Sequence, residues 1–324
     1  MLKIKKLLLI LIISTLMLTS CATSSAPVAS DAVKKENINI LVAGSDRTSG
    51  LYDVLMLVSV DRENSQIWTM QIPRDTYAAY TDSSYRKLNG AISSLGGMEQ
   101  FCKFMSSALG VRIDRYVSLT PDAFVKSVDA LGGVEIELPR AMKYSDPAQG
   151  LYIDLPAGKQ TLDGKTAEQF VRYRSGYVTG DIGRLDAQKL FLSALFCKAR
   201  QVDSVWTLVR LGVSLLPEMN TDMTSADVLS LAKLLREIES DNVFFVTAPG
   251  AEAKEPTSGA SYYVLSASAT AELIEGHFGS VGEFDKSKVF LKEEYARFRN
   301  IYNGYSNYTV HSASENGKTE EMDS

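Results

Sequence analysis

Histidine and cysteine are scarce. The 324 residues contain only His277, His311, Cys21, Cys102 and Cys197 of these two types. A zinc centre needs three or four such ligands at short spacing, and a Ser-His or Cys-His nucleophile needs a histidine to activate it. The chain has the residues for neither. An excess of positive charge is also missing: 34 basic against 39 acidic side chains give a net charge of −5 and a pI near 5.3. That balance argues against a nucleic-acid surface, where a basic stripe supplies most of the affinity. Gly44-Ser45 lacks the Gly-x-x-x-x-Gly-Lys-Ser/Thr context of a nucleotide-binding loop, so an ATPase is excluded. No repeat of roughly 20–50 residues is visible.

What is present begins with an export signal. Lys3, Lys5 and Lys6 precede an apolar stretch over 7–18, and Leu18-Thr19-Ser20-Cys21 follows. This ending resembles the lipobox of bacterial lipoproteins, in which the cysteine is lipidated. Residues 1–20 are thus expected to be a signal peptide and Cys21 the lipid-bearing first residue. An uncleaved anchor is the alternative, but Ser14, Thr15, Thr19 and Ser20 interrupt the run of about 20 apolar residues it needs. Either way the remainder lies on the extracytoplasmic side of the membrane. Residues 21–36, rich in Ala, Ser and Lys, read as a flexible tether. Cys102 and Cys197 sit in apolar helical patterns; sequence does not say whether they pair.

From residue 38 strand and helix patterns interleave. Strands are expected over 38–44, 54–60, 66–72, 116–119, 134–138 and 242–247, with a hairpin turn at 62–65. Helices are expected over 97–109, from Pro121 to Gly132-Gly133, over 165–171, over 185–215 with breaks near Val202 and Gly212, over 225–238 and over 268–278. Residues 158–164 read as turn. Apolar periodicity fades after Gly279, so 280–324 is expected to be a polar extension whose end is disordered. This pattern implies an α/β fold, a sheet flanked by helices on both faces as an α-β-α sandwich.

Four arginines stand out in this acidic chain. Arg74 follows Ile72-Pro73 at a strand end; Arg172 and Arg174 precede Gly180-Asp181-Ile182-Gly183-Arg184, and Gln188 lies one helical turn beyond Arg184. Guanidinium forks match phosphate oxygens in pairs. Arg172 and Arg174 share a side only if their segment is extended; the alternative is a solvated basic run. Arg184 and Gln188 share a helix face near an N-terminus that favours anions. Asp181 is either that helix's cap or a base near a reacting group. Asp46 and Asp53 stand at strand ends, either forming turns or holding Mg²⁺ against phosphate. Arg47 and Lys87 add charge at the rim.

In order, these motifs resemble the LytR-CpsA-Psr family of bacterial cell-envelope proteins. The resemblance rests on 39–46, on Gln71-Ile72-Pro73-Arg74-Asp75-Thr76, on Lys87-Leu88-Asn89 and on 129–135. It continues through Val171-Arg172-Tyr173-Arg174 and Asp181-Ile182-Gly183-Arg184 with Gln188. It covers 38–200 closely and 201–279 more loosely, so 37–279 is expected to be the catalytic domain. The resemblance implies a mixed sheet enclosing an apolar lipid groove with a charged mouth. It also implies the activity: transfer of a phosphoglycopolymer (teichoic acid, capsular polysaccharide or a similar glycan) from a polyprenyl pyrophosphate carrier to peptidoglycan. Residues matching Asp46 and Asp53 would hold Mg²⁺; those matching Arg74, Lys87, Arg172, Arg174, Arg184 and Gln188 would contact the pyrophosphate. Asp181 or Asp75 is the expected proton acceptor. Tyr52-Asp53-Val54 departs from the family's usual Ser-Asp-Thr. A protein that binds or hydrolyses a pyrophosphate lipid without ligating it would share every arginine.

Overall fold

Alternation of apolar residues folds the first three strands into an antiparallel meander. β1 (Ile38–Ser45) pairs with β2 (Tyr52–Asp61), and β2 with β3 (Gln66–Gln71). The β2–β3 reversal is held by Asp61, whose Oδ1 accepts from the Glu63 and Asn64 amides at 2.9 Å. The computed structural model describes residues 37–47, 49–81, 86–138, 140–147, 151–174, 177, 181–289, 292–304 and 308–314. The expected signal peptide, Cys21, the tether and the last ten residues lie outside that set. Among the described residues no helix is long and apolar enough to cross a membrane.

After β3 the chain forms α1 (Ala91–Leu95) and α2 (Met98–Leu109), then returns as β4 (Arg115–Leu119) parallel to β1. Thr120 caps α3 (Pro121–Ala130), its hydroxyl accepting from the Ala123 amide at 3.1 Å, with Pro121 in the first turn where no amide donor is needed. Then come β5 (Val134–Leu138), β6 (Met142–Asp146), β7 (Leu151–Leu155) and β8 (Gly158–Leu162), paired as two ribbons, β5–β8 and β6–β7. Residues 158–162, expected as turn, are therefore a strand: each pairs across to β5. Helices α4 (Gly164–Arg172), α5 (Asp181–Arg200) and α6 (Val205–Leu215) follow. The break at Val202 is present, whereas Gly212 lies inside α6. A Cβ on Gly212 would come within 2.6 Å of Val228 Cγ1, so this glycine lets the next helix approach.

That next helix is α7 (Ser225–Glu237), after the short β9 (Asn220–Thr221); a reciprocal box between Thr224 and Asp227 starts it. β10 (Val243–Thr247), the ribbon of β11 (Gly250–Lys254) and β12 (Ser261–Leu265), and α8 (Ala267–His277) complete the expected region. Beyond it lie α9 (Lys286–Val289), α10 (Lys292–Arg297), α11 (Arg299–Gly304) and β13 (Val310–Ser312). The segment read as a polar extension thus carries order. Val289, Phe298 and Tyr302 are buried against Tyr77 and Tyr262, and β13 pairs with β10.

The main sheet runs β13-β10-β3-β2-β1-β4-β9, with β1–β4 and β3–β10 parallel and its other pairs antiparallel. It is the expected mixed sheet between helices. On one face Leu41, Leu57 and Met70 pack against Phe101 and Met105 of α2 and Leu273 of α8, all fully or almost fully buried. On the other face the register aligns Val42 with Met56 and Val117, Ile40 with Val58, and Gly44 with Val54. Helices α5 and α7 cover this face at its β3–β10 side, where Leu192, Phe196 and Leu234 meet Val243 and Phe245. Over the central strands the cover is loose. Val42, Val54, Val58 and Val117 stay half-buried and join none of the packed apolar clusters among the described residues. Apolar side chains in mid-sheet are ordinarily sealed; here a half-buried apolar strip, or furrow, remains.

Candidate functional site at one edge of the sheet

The furrow ends where β1, β2 and β3 deliver Asp46, Asp53 and Arg74. After β3 the Ile72 amide makes one last bond to Leu55 O (2.8 Å), and Pro73 ends the ladder. The Thr76 hydroxyl and amide both return to Pro73 O, at 2.6 and 3.0 Å, closing a turn around Arg74. That turn is stitched on both sides: the Asn89 amide bonds Arg74 O, and the Tyr263 amide bonds Asp75 O, each at 2.9 Å. The Arg74 guanidinium donates to the Asp53 carboxylate. Lys87 lies 3.1 Å from Asp75.

From the opposite side come α4 and α5. Gly164 opens α4, donating its amide to Asp129 Oδ1 at 2.7 Å; a Cβ there would collide with Val125 O, so α4 is drawn tightly onto α3. This contact sets the position of Arg172 at the far end of α4. Arg184 of α5 is only 2% exposed, and its Nη2 donates to Asp53 O at 3.4 Å. Gln188, one turn on, donates to Val171 O at 3.2 Å and accepts from Gln71 Nε2 at 3.4 Å. Two sets of bonds, Arg74–Asp53–Arg184 and Gln71–Gln188–Val171, thus meet on α5, drawn from parts of the chain more than a hundred residues apart.

Not every expectation holds in detail. Arg172 is the last residue of α4 rather than part of an extended segment, because Glu168, four residues earlier, pairs with it at 3.0 Å. Tyr173 leaves the helix extended and buried, and Arg174 is exposed. Asp46 is engaged within its own loop, accepting from the Ser49 amide (3.0 and 3.1 Å) and hydroxyl. The side chain of Asp181, and Gly180, lie outside the described residues. Cys102 and Cys197 are both free thiols; burial pushes Cys102 up to about 12.

Two contributors were missed. Gln71 is a polar residue on the inward face of an apolar strand, 1% exposed. Glu168 is an acid at 8% exposure on the packed side of α4. Both break the local apolar pattern, and that break was the available signal. Arg47 grips Glu168 through Nε (2.9 Å) and Nη2 (2.7 Å) and reaches Asp122 with Nη1 (2.8 Å). Burial alone would push the Glu168 carboxyl up, but hydrogen bonds and charge from Arg47, with the charge of Arg172, hold it below the usual carboxylate range.

Among the described residues no group of three or more His, Cys, Asp or Glu surrounds a common point. Asp46 and Asp53 flank one loop at the same end of paired strands. Two hard carboxylates fit a Mg²⁺ ion that completes its shell with phosphate oxygens and water, not a dedicated protein cage. Cavities of about 440 Å³ beside Cys102 and Tyr116, and of about 400 Å³ beside Ser230 and Leu234, are lined by none of Arg74, Arg172 and Arg184.

The site thus sets a buried Arg184 and half-buried Arg74 and Arg172 at one edge of a mixed α/β sheet, beside half-buried aliphatic side chains. The profile of the LytR_cpsA_psr family matches residues 17–277, and the chain belongs to that family. It is 27% identical over 241 residues, 72% of each chain, to the polyisoprenyl-teichoic acid–peptidoglycan teichoic acid transferase TagU of Oceanobacillus iheyensis. It is 26% identical over 229 residues to TagV of Bacillus subtilis, a transferase of the same description; the match spans 68% of this chain and 58% of TagV. Among solved structures, B. subtilis TagV superposes with a TM-score of 0.64 at 23% identity, over 75% of this chain and 96% of that one. TagT bound to LIIa-WTA superposes at 0.61 and 22% identity, over 79% and 92%. These likenesses establish the fold.

Proposed function

We propose that this protein is a transferase that attaches a phosphoglycopolymer, teichoic acid or a related glycan, from a polyprenyl pyrophosphate carrier to peptidoglycan. The carrying observation is the convergence of Arg74, Arg184, Gln188 and the Arg172 end of α4 at the mouth of a half-sealed apolar furrow. A diphosphate with a long hydrocarbon tail has both halves of that chemistry. The tail would lie along Val54, Val42, Met56 and Val58; at about 0.8 kcal/mol per buried methylene, ten carbons outweigh any one ion pair.

In the reaction an acceptor sugar hydroxyl attacks the phosphorus nearer the glycan. The new P–O bond forms as the bond to the bridging oxygen breaks, and polyprenyl phosphate leaves. Such transfers are governed by positioning and charge stabilisation. Arg74, Arg172 and Arg184 supply this, Gln188 orients the headgroup, and Lys87 and Arg174 extend the cationic rim. Asp181 or Asp75 takes the hydroxyl proton. Asp46 and Asp53 would hold Mg²⁺, which when bound neutralises diphosphate charge. Arg74 would then exchange Asp53 for a phosphate oxygen. The protein would work at the outer face of the cell membrane, tethered by a lipid on Cys21.

The test is incubation of the purified protein with a labelled lipid-linked teichoic acid precursor and peptidoglycan. Label should enter peptidoglycan, chelation should abolish this, and Mg²⁺ should restore it. Release of the headgroup without attachment would instead identify a pyrophosphatase.

A further inference from the structure

We infer that Glu168 is a positioning residue: neutralised by Arg47, it aims the Arg172 guanidinium at the diphosphate. This rests on the transferase reading above and adds to it a residue that touches no substrate. The geometry carries three points. First, Arg47 binds both Glu168 oxygens in a two-pronged fork, and its third contact, to Asp122, fixes the fork to the first turn of α3. The carboxylate is therefore rigidly held by a loop and two helices. Second, Arg172 uses a single nitrogen, Nη1, on Glu168 Oε1 at 3.0 Å; among the described residues the rest of its fork makes no bond. One edge is anchored and the other is left for a ligand. Third, the charge balance suits an anion. An acid beside a phosphate-binding arginine would ordinarily repel the ligand, but Arg47 offsets Glu168, and the second acid on Arg47, Asp122, which brings the four groups to a formal sum of zero, is largely exposed and screened by solvent.

Arg172 needs such a hold, because it is the last residue of its helix and the chain turns extended at Tyr173. A long side chain there would otherwise sample many rotamers, and ordering them would fall to the reaction step. A purely structural ion pair is the competing explanation, and it predicts a different pattern.

The experiment uses the full chain with Glu168→Gln, which keeps the shape and one acceptor but not the charge. Three readouts are compared: melting temperature, calorimetric affinity for geranyl pyrophosphate as a short prenyl diphosphate, and transfer kinetics. Positioning predicts unchanged or tighter geranyl pyrophosphate binding, since an acid near the mouth is gone, with turnover down about tenfold. Arg172→Lys in the Glu168→Gln background should add little further loss, because the two act as one unit. A lowered melting temperature with wild-type turnover in the folded fraction would overturn the inference, as would additive losses in the double variant. If Glu168→Gln does not fold, Arg47→Lys, which keeps the charge but not the two-pronged fork, should show the same split; wild-type turnover there would equally overturn it. Arg74→Ala and Arg184→Ala serve as reference. If they leave geranyl pyrophosphate binding intact, the diphosphate reading itself falls; if they weaken it while Glu168→Gln turns over normally, only the role of Glu168 falls.

Discussion

The two faces of the central sheet carry similar aliphatic side chains and end in different states. Leu41, Leu57 and Met70 are sealed under α2 and α8, while Val42, Val54, Val58 and Val117, on the other face of the same or adjacent strands, remain half-buried. Composition does not distinguish these faces; helix fit does. One face is sealed for stability; under the proposed function the other keeps apolar surface for a ligand whose headgroup meets the arginines.

The sharpest way to break this contrast is by truncation. Phe101→Ala, which empties a fully buried site on the sealed face, should cost about 3–5 kcal/mol in urea unfolding, and Val58→Ala only about 1 kcal/mol. Equal losses would mean the faces are equivalently packed. Next, Arg74→Ala should lower transfer about 10–100-fold through loss of charge-assisted bonds worth about 1.5–3 kcal/mol. Enlargement gives a third, smaller contrast. Leu57→Phe should destabilise by about 1–3 kcal/mol, whereas Val58→Phe should be nearly neutral to stability. Val58→Phe should nevertheless weaken binding of a long-chain prenyl pyrophosphate relative to geranyl pyrophosphate. The smallest effect concerns α7. Asp227, paired with Arg115 and the Thr224 box, is held at about 2, with the hydrogen bond from Arg115 as the main cause. Its ionised form stabilises the fold above the usual carboxylate range, and that contribution disappears as pH falls toward 2. Asp227→Asn should therefore cost about 1 kcal/mol at neutral pH and progressively less in acid, read from melting curves across pH.

Much of this molecule was legible before any coordinates. The first three strands with their turn at 62–65, β4, the helices α3 and α7, and the arginine motifs all follow from alternation, helical period and turn chemistry. The β5–β8 and β6–β7 ribbons were less visible. Gly158-Lys159-Gln160-Thr161-Leu162 has little intrinsic strand preference and is extended because β5 lies beside it. Val310–Ser312 is too short to carry a period and owes its state to β10. At the site, sequence identified the arginines but not their restraints. That Gln71 meets Gln188, and that Arg47 grips Glu168, depends on contacts across 117 and 121 residues of chain. No local pattern encodes those distances.

The placement of β13 has a practical corollary. The family profile ends at residue 277, yet among the described residues Val243-Phe244-Phe245-Val246 of β10 obtains its outer hydrogen-bond partners from residues 310–313. A version of the protein trimmed at residue 277 would present an unpaired, aromatic-rich strand to its neighbours, and such an edge templates aggregation. Poor solubility of that shortened form would follow from a missing border strand, even with every arginine in place.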